Sequence, residues 1–481
     1  MGNTSDTGEG SASDLAGSID PAETGIPGTA GLGKGPPEGV APPGVARGAN
    51  DPLARARRRR PRVRLPRRGA VAYLAALGPG LIAANAGNDA GGIATYSAVG
   101  ASYGYSLLWM MIVITVSLSL VQEMCARMGA VTGKGLSALI REYFGLRLTA
   151  FAMLALLIAN AGTAISEFVG IGAAVGLFGL APLVAVPLVA VAVWWLVAHG
   201  SYRRVEIVFL VMTFAFFAYP LSALFAHPDW GRVARQAVIP SFQLDAGYIF
   251  TFVATVGTTI TPYMQVYVQS SVAEKNVSME RYTYERVDAY TGSVFANLIA
   301  GFIIVCTGAT LFIHHISIAT ADDAAKALAP LVGPYAKDVF GLGLFGASML
   351  AAAVLPLATS YSLTEAFGLE RGVDKRLGEA PVFWGLFTAL IALGAVVGAL
   401  IPRGAVVQLL LVVQVVNGVL LPVLLIFIIR LVNNPEVMGR HTNGRAYNAV
   451  AWVTVVAVAG LSALMVVTTV LPAVGIHLFG L

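Results

Sequence analysis

Gly78-Pro79-Gly80-Leu81-Ile82-Ala83-Ala84-Asn85-Ala86-Gly87-Asn88-Asp89-Ala90-Gly91-Gly92-Ile93-Ala94-Thr95 is an apolar run with a polar, glycine-rich centre. Three glycines and an aspartate fall within the six residues from Gly87 to Gly92. Glycine in a helix interior costs about 1 kcal/mol relative to alanine, so this cluster predicts an unwound turn inside an otherwise helical segment. An aspartate at the centre of a membrane helix costs about 2.5 to 3.5 kcal/mol on insertion scales. Asp89 is therefore tolerable there only if it faces a cavity or a cation.

That the segment belongs in a membrane follows from the rest of the chain. Over 481 residues the hydrophobic fraction is 57% and the charged fraction only 12%, far from the balance of a water-soluble domain. This excludes a soluble enzyme. A spanning helix needs about 20 mostly apolar residues, and eleven such stretches are expected, near 70–104, 105–129, 147–176, 181–199, 202–226, 246–272, 286–314, 338–366, 381–401, 405–432 and 446–474. Continuous apolar runs, in place of ten-residue alternation, exclude a barrel. Cys125 and Cys306, the only two cysteines, both lie inside predicted spans and are read as packed side chains with no disulfide framework.

Residues 1–68 are rich in Gly, Ala and Pro with few large apolar side chains. They are expected to form a disordered, basic N-terminal tail ahead of a transmembrane domain over 69–481. The basic cluster from Arg55 to Arg68 precedes a full span, which argues against a cleaved signal peptide. It is expected to lie against anionic lipid in the cytoplasm and not against nucleic acid. With the N-terminus inside, the tail holds 11 of the 31 Lys and Arg residues, the other inside loops 15 and the outside loops 5. One missed or invented span would invert the later loops, so this bias supports eleven spans, a cytoplasmic N-terminus and an outside C-terminus in the plasma membrane.

The sixth span carries the second interruption, Val256-Gly257-Thr258-Thr259-Ile260-Thr261-Pro262-Tyr263. Pro262 has no N–H to offer the carbonyl of Thr258, which is left free to bind something else. Breaks in spans one and six, five helices apart, predict two five-helix repeats of opposite topology, about 70–226 and 246–432, with an extra helix at 446–474. Paired broken helices point to a substrate site at the membrane midplane.

At these residues the sequence resembles the Nramp family of divalent metal transporters, over about Gly78 to Trp452. Asp89-Ala90-Gly91-Gly92 is similar to the family's Asp-Pro-Gly-Asn motif, with Ala90 for the proline and Gly92 for the ligand asparagine. Thr258 stands at the family's carbonyl-ligand position, Thr261 replaces its methionine, and Gln414, eight residues before Pro422, matches its tenth-helix glutamine. Met128 to Lys134 and Asn434 to Gly439 resemble family loops. The resemblance implies an all-α, LeuT-like fold with broken helices 1 and 6. It also implies a metal site of Asp89, Gly92, Thr258, Thr261 and Gln414, the metal being cargo and no cofactor being required.

The departures from the family carry the mechanism. The histidine that follows the sixth-helix break in proton-coupled members is Tyr263, and the third-helix aspartate is Ala164, with Glu167 kept. No histidine lies at a span centre; His199, His227, His314, His315, His441 and His477 are near ends or loops. The pattern resembles the Nramp-related magnesium transporters. Thioether sulfur favours soft ions, whereas carboxylate, hydroxyl and carbonyl oxygens favour magnesium, manganese and calcium. Magnesium keeps several waters and binds through one or two carboxylates. Asn85 and Asn88 flank the first break as ligands or helix caps, while Glu167, Tyr263, Asp288 and Asn297 are candidates for a pathway or gate. Glu123 and Arg127, one turn apart, are read as an interfacial ion pair; Asn417 and Glu365 carry no assignment. Transport of magnesium or manganese by a monomer, without proton coupling, is the leading expectation. The alternatives are an ion-coupled symporter of amino acids or other small organic solutes on the same fold, and a transport-dead scaffold.

Overall fold

A computed structural model describes residues 88–199, 214–275, 277, 279, 282–373 and 375–470. The basic tail, the first half of span one with Asn85, residues 200–213 at the start of span five, and residues 471–481 with His477 lie outside the described residues. Among the described residues there is no strand. The principal helices are α1 (Ala90–Tyr103), α2 (Leu108–Thr132), α3 (Leu136–Leu177), α4 (Pro182–Ala198), α5 (Ala218–Phe225) and α6 (Trp230–Val238). They continue with α7 (Ala246–Thr259), α8 (Pro262–Glu274), α9 (Tyr282–Thr307), α10 (Ala336–Phe367), α11 (Pro381–Leu400), α12 (Val406–Val432) and α13 (Arg445–Met465).

Seven helices among the described residues are long and apolar enough to cross a membrane. The other four of the eleven expected spans have individual explanations. The helix at Pro182–Ala198 is one residue short of that length, spans one and five extend into undescribed segments, and span six is cut in two at its middle. The chain is thus a multi-pass membrane protein. Boundaries differ from the expectation at the third span, which begins at Leu136 and not near 147, because the backbone bends at Gly145 (φ 72°) and helix resumes on either side. A left-handed residue ends one helix and starts the next at low cost when it is glycine.

The helices sort into two packing groups. Helices α1, α2, α7, α8 and α9 pack on one another, and α3, α4, α10 and α11 do the same, with α12 touching members of each and α13 against α12. The second group has its own core, in which Phe168, Ile171 and Val186 meet Met349, Phe383 and Phe387. Lipid offers no hydrophobic drive for helix association, so close van der Waals contact has to supply it, and small residues allow that contact. The tightest backbone-to-backbone instance is α7 on α12. A Cβ on Gly257 would lie 2.0 Å from the carbonyl oxygen of Gln414 and 2.4 Å from the nitrogen of Gly418. Cys125 and Cys306 are buried and free.

Candidate metal site

The first break is ordered by its own aspartate. Asp89 is extended (φ −71°, ψ 178°) and caps α1, its Oδ1 accepting from Gly92 N at 2.6 Å. The N-cap of α1 is thus Asp89 and not Asn88, while the reading of Asn85 as a cap or ligand falls outside the described residues. Asx residues at a cap take up one of the otherwise unpaired N–H groups of the first turn. Capping uses only one oxygen; Oδ2, buried with the rest of the side chain, has no hydrogen-bond partner among the described residues. The positive end of the α1 dipole holds the carboxylate in place.

The second break has the expected form. The last ladder bond of α7 runs from Ile260 N to Val256 O at 2.9 Å. Ile260 (φ −109°, ψ 60°) and Thr261 (φ −66°, ψ 139°) leave the helical region, and α8 begins on Pro262. Proline at the first position of a helix forfeits nothing, since that N–H is unpaired anyway. Thr258 is fully buried and its Oγ1 has no partner; Thr261 is equally buried, with the Tyr263 hydroxyl as polar neighbour.

Three further helices close on these breaks. From α3, Glu167 Oε2 accepts from Ala90 N at 3.4 Å, while Oε1 accepts from Ser166 Oγ at 3.3 Å. From α12, Gln414 lies directly on the first break, where a Cβ on Gly91 would come within 1.8 Å of its Nε2. Any larger residue at 91 would have to displace the Gln414 amide. Gln414 Oε1 accepts from Asn417 Nδ2 at 2.9 Å, and Asn417 Nδ2 also donates to Thr163 Oγ1 at 2.9 Å. From α8, Tyr263 sits within electrostatic reach of both Asp89 and Glu167. Asp89, Glu167, Tyr263 and Gln414 are thereby brought to one place, with Thr258 and Thr261 at the adjoining break. Gly92 contributes its backbone N–H to Asp89 and has no side chain to offer a cation.

Asn88 and Asn297 meet elsewhere. With Tyr96, Gln122, Thr259 and Ser293 they line a water-sized cavity of about 10 Å³ among α1, α2, α7, α8 and α9. Its walls are tied together. The Tyr96 hydroxyl donates to Thr259 Oγ1 at 2.9 Å, Thr259 in turn donating to Thr255 O, and Ser293 Oγ donates to Gln122 Oε1 at 2.9 Å. Asn297 Nδ2 donates to Thr115 Oγ1 at 2.8 Å. Asp288 is buried on α9 but is not among the residues lining this cavity. The expected ion pair is present, Arg127 Nη2 lying 3.3 Å from Glu123 Oε2, and is extended by Tyr282, whose hydroxyl donates to Glu123. Glu365 pairs with Arg371 at 3.1 Å.

Among the described residues no three His, Cys, Asp or Glu side chains converge. A cation at the breaks would be held by the Asp89 carboxylate, with Glu167 beside it, and by carbonyl, hydroxyl and amide oxygens. Such oxygen donors suit hard divalent ions. Sequence reading missed Gly91, Gln122 and Ser348, the last a polar neighbour of the Glu167 carboxylate. Gly91 stood in the quoted motif, but nothing in a sequence says which side chain a glycine makes room for.

Two interrupted helices meeting at a buried carboxylate, inside two interlocked helix groups, define the class of broken-helix membrane transporters. Residues 80–468 match the family described as natural resistance-associated macrophage protein-like, Nramp, and the chain belongs to that family. It is similar in fold to a manganese transporter of Eremococcus coleocola solved with an aromatic bis-isothiourea compound. The TM-score is 0.68 at 19% identity, over 85% of this chain and 90% of that one. MhsT, solved with L-phenylalanine, matches at TM-score 0.52 and 14% identity, over 82% of this chain and 98% of its own. Mhp1, a nucleobase-cation-symport-1 family transporter, matches in its inward-facing form at TM-score 0.53 and 15% identity, over 81% and 90%. The LeuT-like fold with breaks in helices 1 and 6 is thereby established.

Proposed function

We propose that this chain carries divalent cations, magnesium or manganese, across the plasma membrane without moving protons with them. The observation that carries the reading is the Asp89 carboxylate, buried at the first break with Oδ2 unpartnered. A carboxylate oxygen left unsatisfied in a low-dielectric interior is costly unless a cation meets it. Family membership and the fold shared with a manganese transporter support the same reading. Binding an amino-acid carboxylate at the same breaks is disfavoured, because Asp89 and Glu167 would repel it. The Lys and Arg bias supports a cytoplasmic N-terminus and an outside C-terminus, with the Arg55 to Arg68 cluster on anionic lipid.

The choice of ion follows from the donors. Thr261 offers a hydroxyl oxygen where a methionine would offer sulfur, and Gly92 leaves room for waters that the cation keeps. Cadmium, a soft ion, is therefore expected to compete poorly with manganese in wild type, and Thr261→Met is expected to shift the cadmium-to-manganese affinity ratio upward by about tenfold. Competition calorimetry on purified protein checks this. Wild type that already prefers cadmium to manganese would sink the oxygen-donor account.

A further inference from the structure

Beyond the two breaks, α8 carries buried amide groups whose hydrogen bonding is incomplete among the described residues. Gln265 is fully buried, and neither its Nε2 nor its Oε1 has a hydrogen-bond partner. Gln269, one turn further, is also fully buried. Its Nε2 donates to Lys134 O at 3.1 Å, which fixes the amide and leaves Oε1 unpartnered. Residues four apart share a helix face, so Thr261, Gln265 and Gln269 form one polar stripe that starts at the second break.

The helices packed on α8 present matching groups. It lies against α2, α3, α10 and α12. On α12, Asn417 is buried with Oδ1 unpartnered, one turn beyond Gln414. On α3, Asn160 is buried with Oδ1 unpartnered, and its Nδ2 is held by Thr359 Oγ1 of α10 at 2.9 Å. Asn160 lies two turns from Glu167, toward the end of α3 that adjoins Lys134. With the topology proposed above, Gln265, Gln269, Asn417 and Asn160 all fall on the cytoplasmic side of Asp89. A buried amide atom without a partner destabilises the fold relative to a satisfied one, and four such residues at one end of a site are out of keeping with mere packing.

We infer that Gln265, with Gln269, Asn417 and Asn160 around it, forms a second, uncharged subsite that receives the hydrated divalent cation on the cytoplasmic side of the Asp89 site. Amide oxygens can accept from a cation's retained waters, and Gln265 Nε2 can donate to a water oxygen turned outward. The absence of a carboxylate on this stripe suits release. An ion that has left Asp89 meets groups able to replace its hydration partners without holding it by charge, as conduction through successive weak sites requires. This inference rests on the divalent-cation reading of the Asp89 site.

The test uses the full chain, with manganese binding by calorimetry and manganese uptake into proteoliposomes. Gln265→Leu removes both amide atoms at similar size; it is expected to lower uptake at saturating manganese by about tenfold while equilibrium binding stays within about threefold of wild type. Gln265→Glu puts charge on the stripe; it is expected to bind a second manganese ion and to turn over more slowly. If Gln265→Leu fails to reach the membrane, the stoichiometry of Gln265→Glu decides alone. Wild-type uptake by Gln265→Leu, loss of its binding in parallel with uptake, or single-ion binding by Gln265→Glu each overturns the subsite. A wild-type chain that binds no manganese, with Asp89→Asn indistinguishable from it, overturns instead the reading on which the subsite rests.

Discussion

Asp89→Asn is expected to leave the protein folded and to cut magnesium or manganese uptake by at least about 100-fold. Truncating one partner of a buried charge pair costs about 2 to 5 kcal/mol, and each 1.4 kcal/mol is a factor of ten in rate. The substitution is chosen because Asp89 has two tasks. Its Oδ1 caps α1 through Gly92 N, and asparagine caps a helix about as well as aspartate. What asparagine removes is the charge on the oxygen that faces away from the cap. Asp89→Ala loses both, so it is expected to be equally inactive and less stable by about 0.5 to 2 kcal/mol. Uptake into proteoliposomes, with thermal unfolding in detergent alongside, separates the two effects. Wild-type uptake by Asp89→Asn removes Asp89 from the site.

Gly257→Ala is expected to destabilise the fold by about 3 kcal/mol or more, at or above the upper end for overpacking. The added Cβ would lie 2.0 Å from the Gln414 carbonyl oxygen, 2.4 Å from the Gly418 nitrogen and 2.9 Å from its Cα. All three are backbone atoms of α12, so no side chain can turn aside. The helices must part, and parting them moves Thr258 and the second break away from Gln414 and the first. Uptake should therefore fall even in the protein that does fold. Gly385→Ala on α11 is the control, since a Cβ there meets nothing within 4 Å, and it is expected to melt within a degree or two of wild type. A Gly257→Ala protein that melts with wild type would show that α7 and α12 are not locked in this way.

The fold was legible in the sequence because its deciding features are local. Apolar length marks a span, and Pro262 or the Gly87 to Gly92 cluster marks a break, whatever surrounds it. The helical stretch ahead of Gly145 was not legible, since Arg141, Glu142 and Arg147 mark a polar loop between spans, and the bend at φ 72° with helix on either side shows only in the backbone. The site was legible to the extent that its residues sit on the breaks. Asp89, Thr258 and Thr261 could be placed that way, and Gln414 by the family resemblance, whereas the contact of Gln414 with Gly91 depends on how α12 lies over α1. Asn88 and Asn297 read as candidates for the pathway or gate, and the small cavity they line together also takes in Thr259 at the end of α7, a meeting that depends on how α9 lies over α1. Gln265 and Gln269 drew no notice in a segment already marked by proline. Their unpartnered amides are visible only when every neighbouring helix is in place.

Coupling turns on which titratable groups stand beside Asp89. The positions that the family resemblance gives to a proton-relay histidine and aspartate are Tyr263 and Ala164, so Glu167, accepting from the Ala90 N–H beside Asp89, and Asp89 itself are the site carboxylates through which a proton could ride. The direct measurement is magnesium or manganese influx into proteoliposomes carrying a lumenal pH dye, with valinomycin and a potassium gradient setting the membrane potential. Influx is predicted to rise as the lumen is made more negative, since each elementary charge gains about 2.3 kcal/mol per 100 mV, and the lumen is predicted not to acidify as metal enters. Metal-dependent acidification of the lumen, abolished in Glu167→Gln, would contradict the uncoupled mechanism.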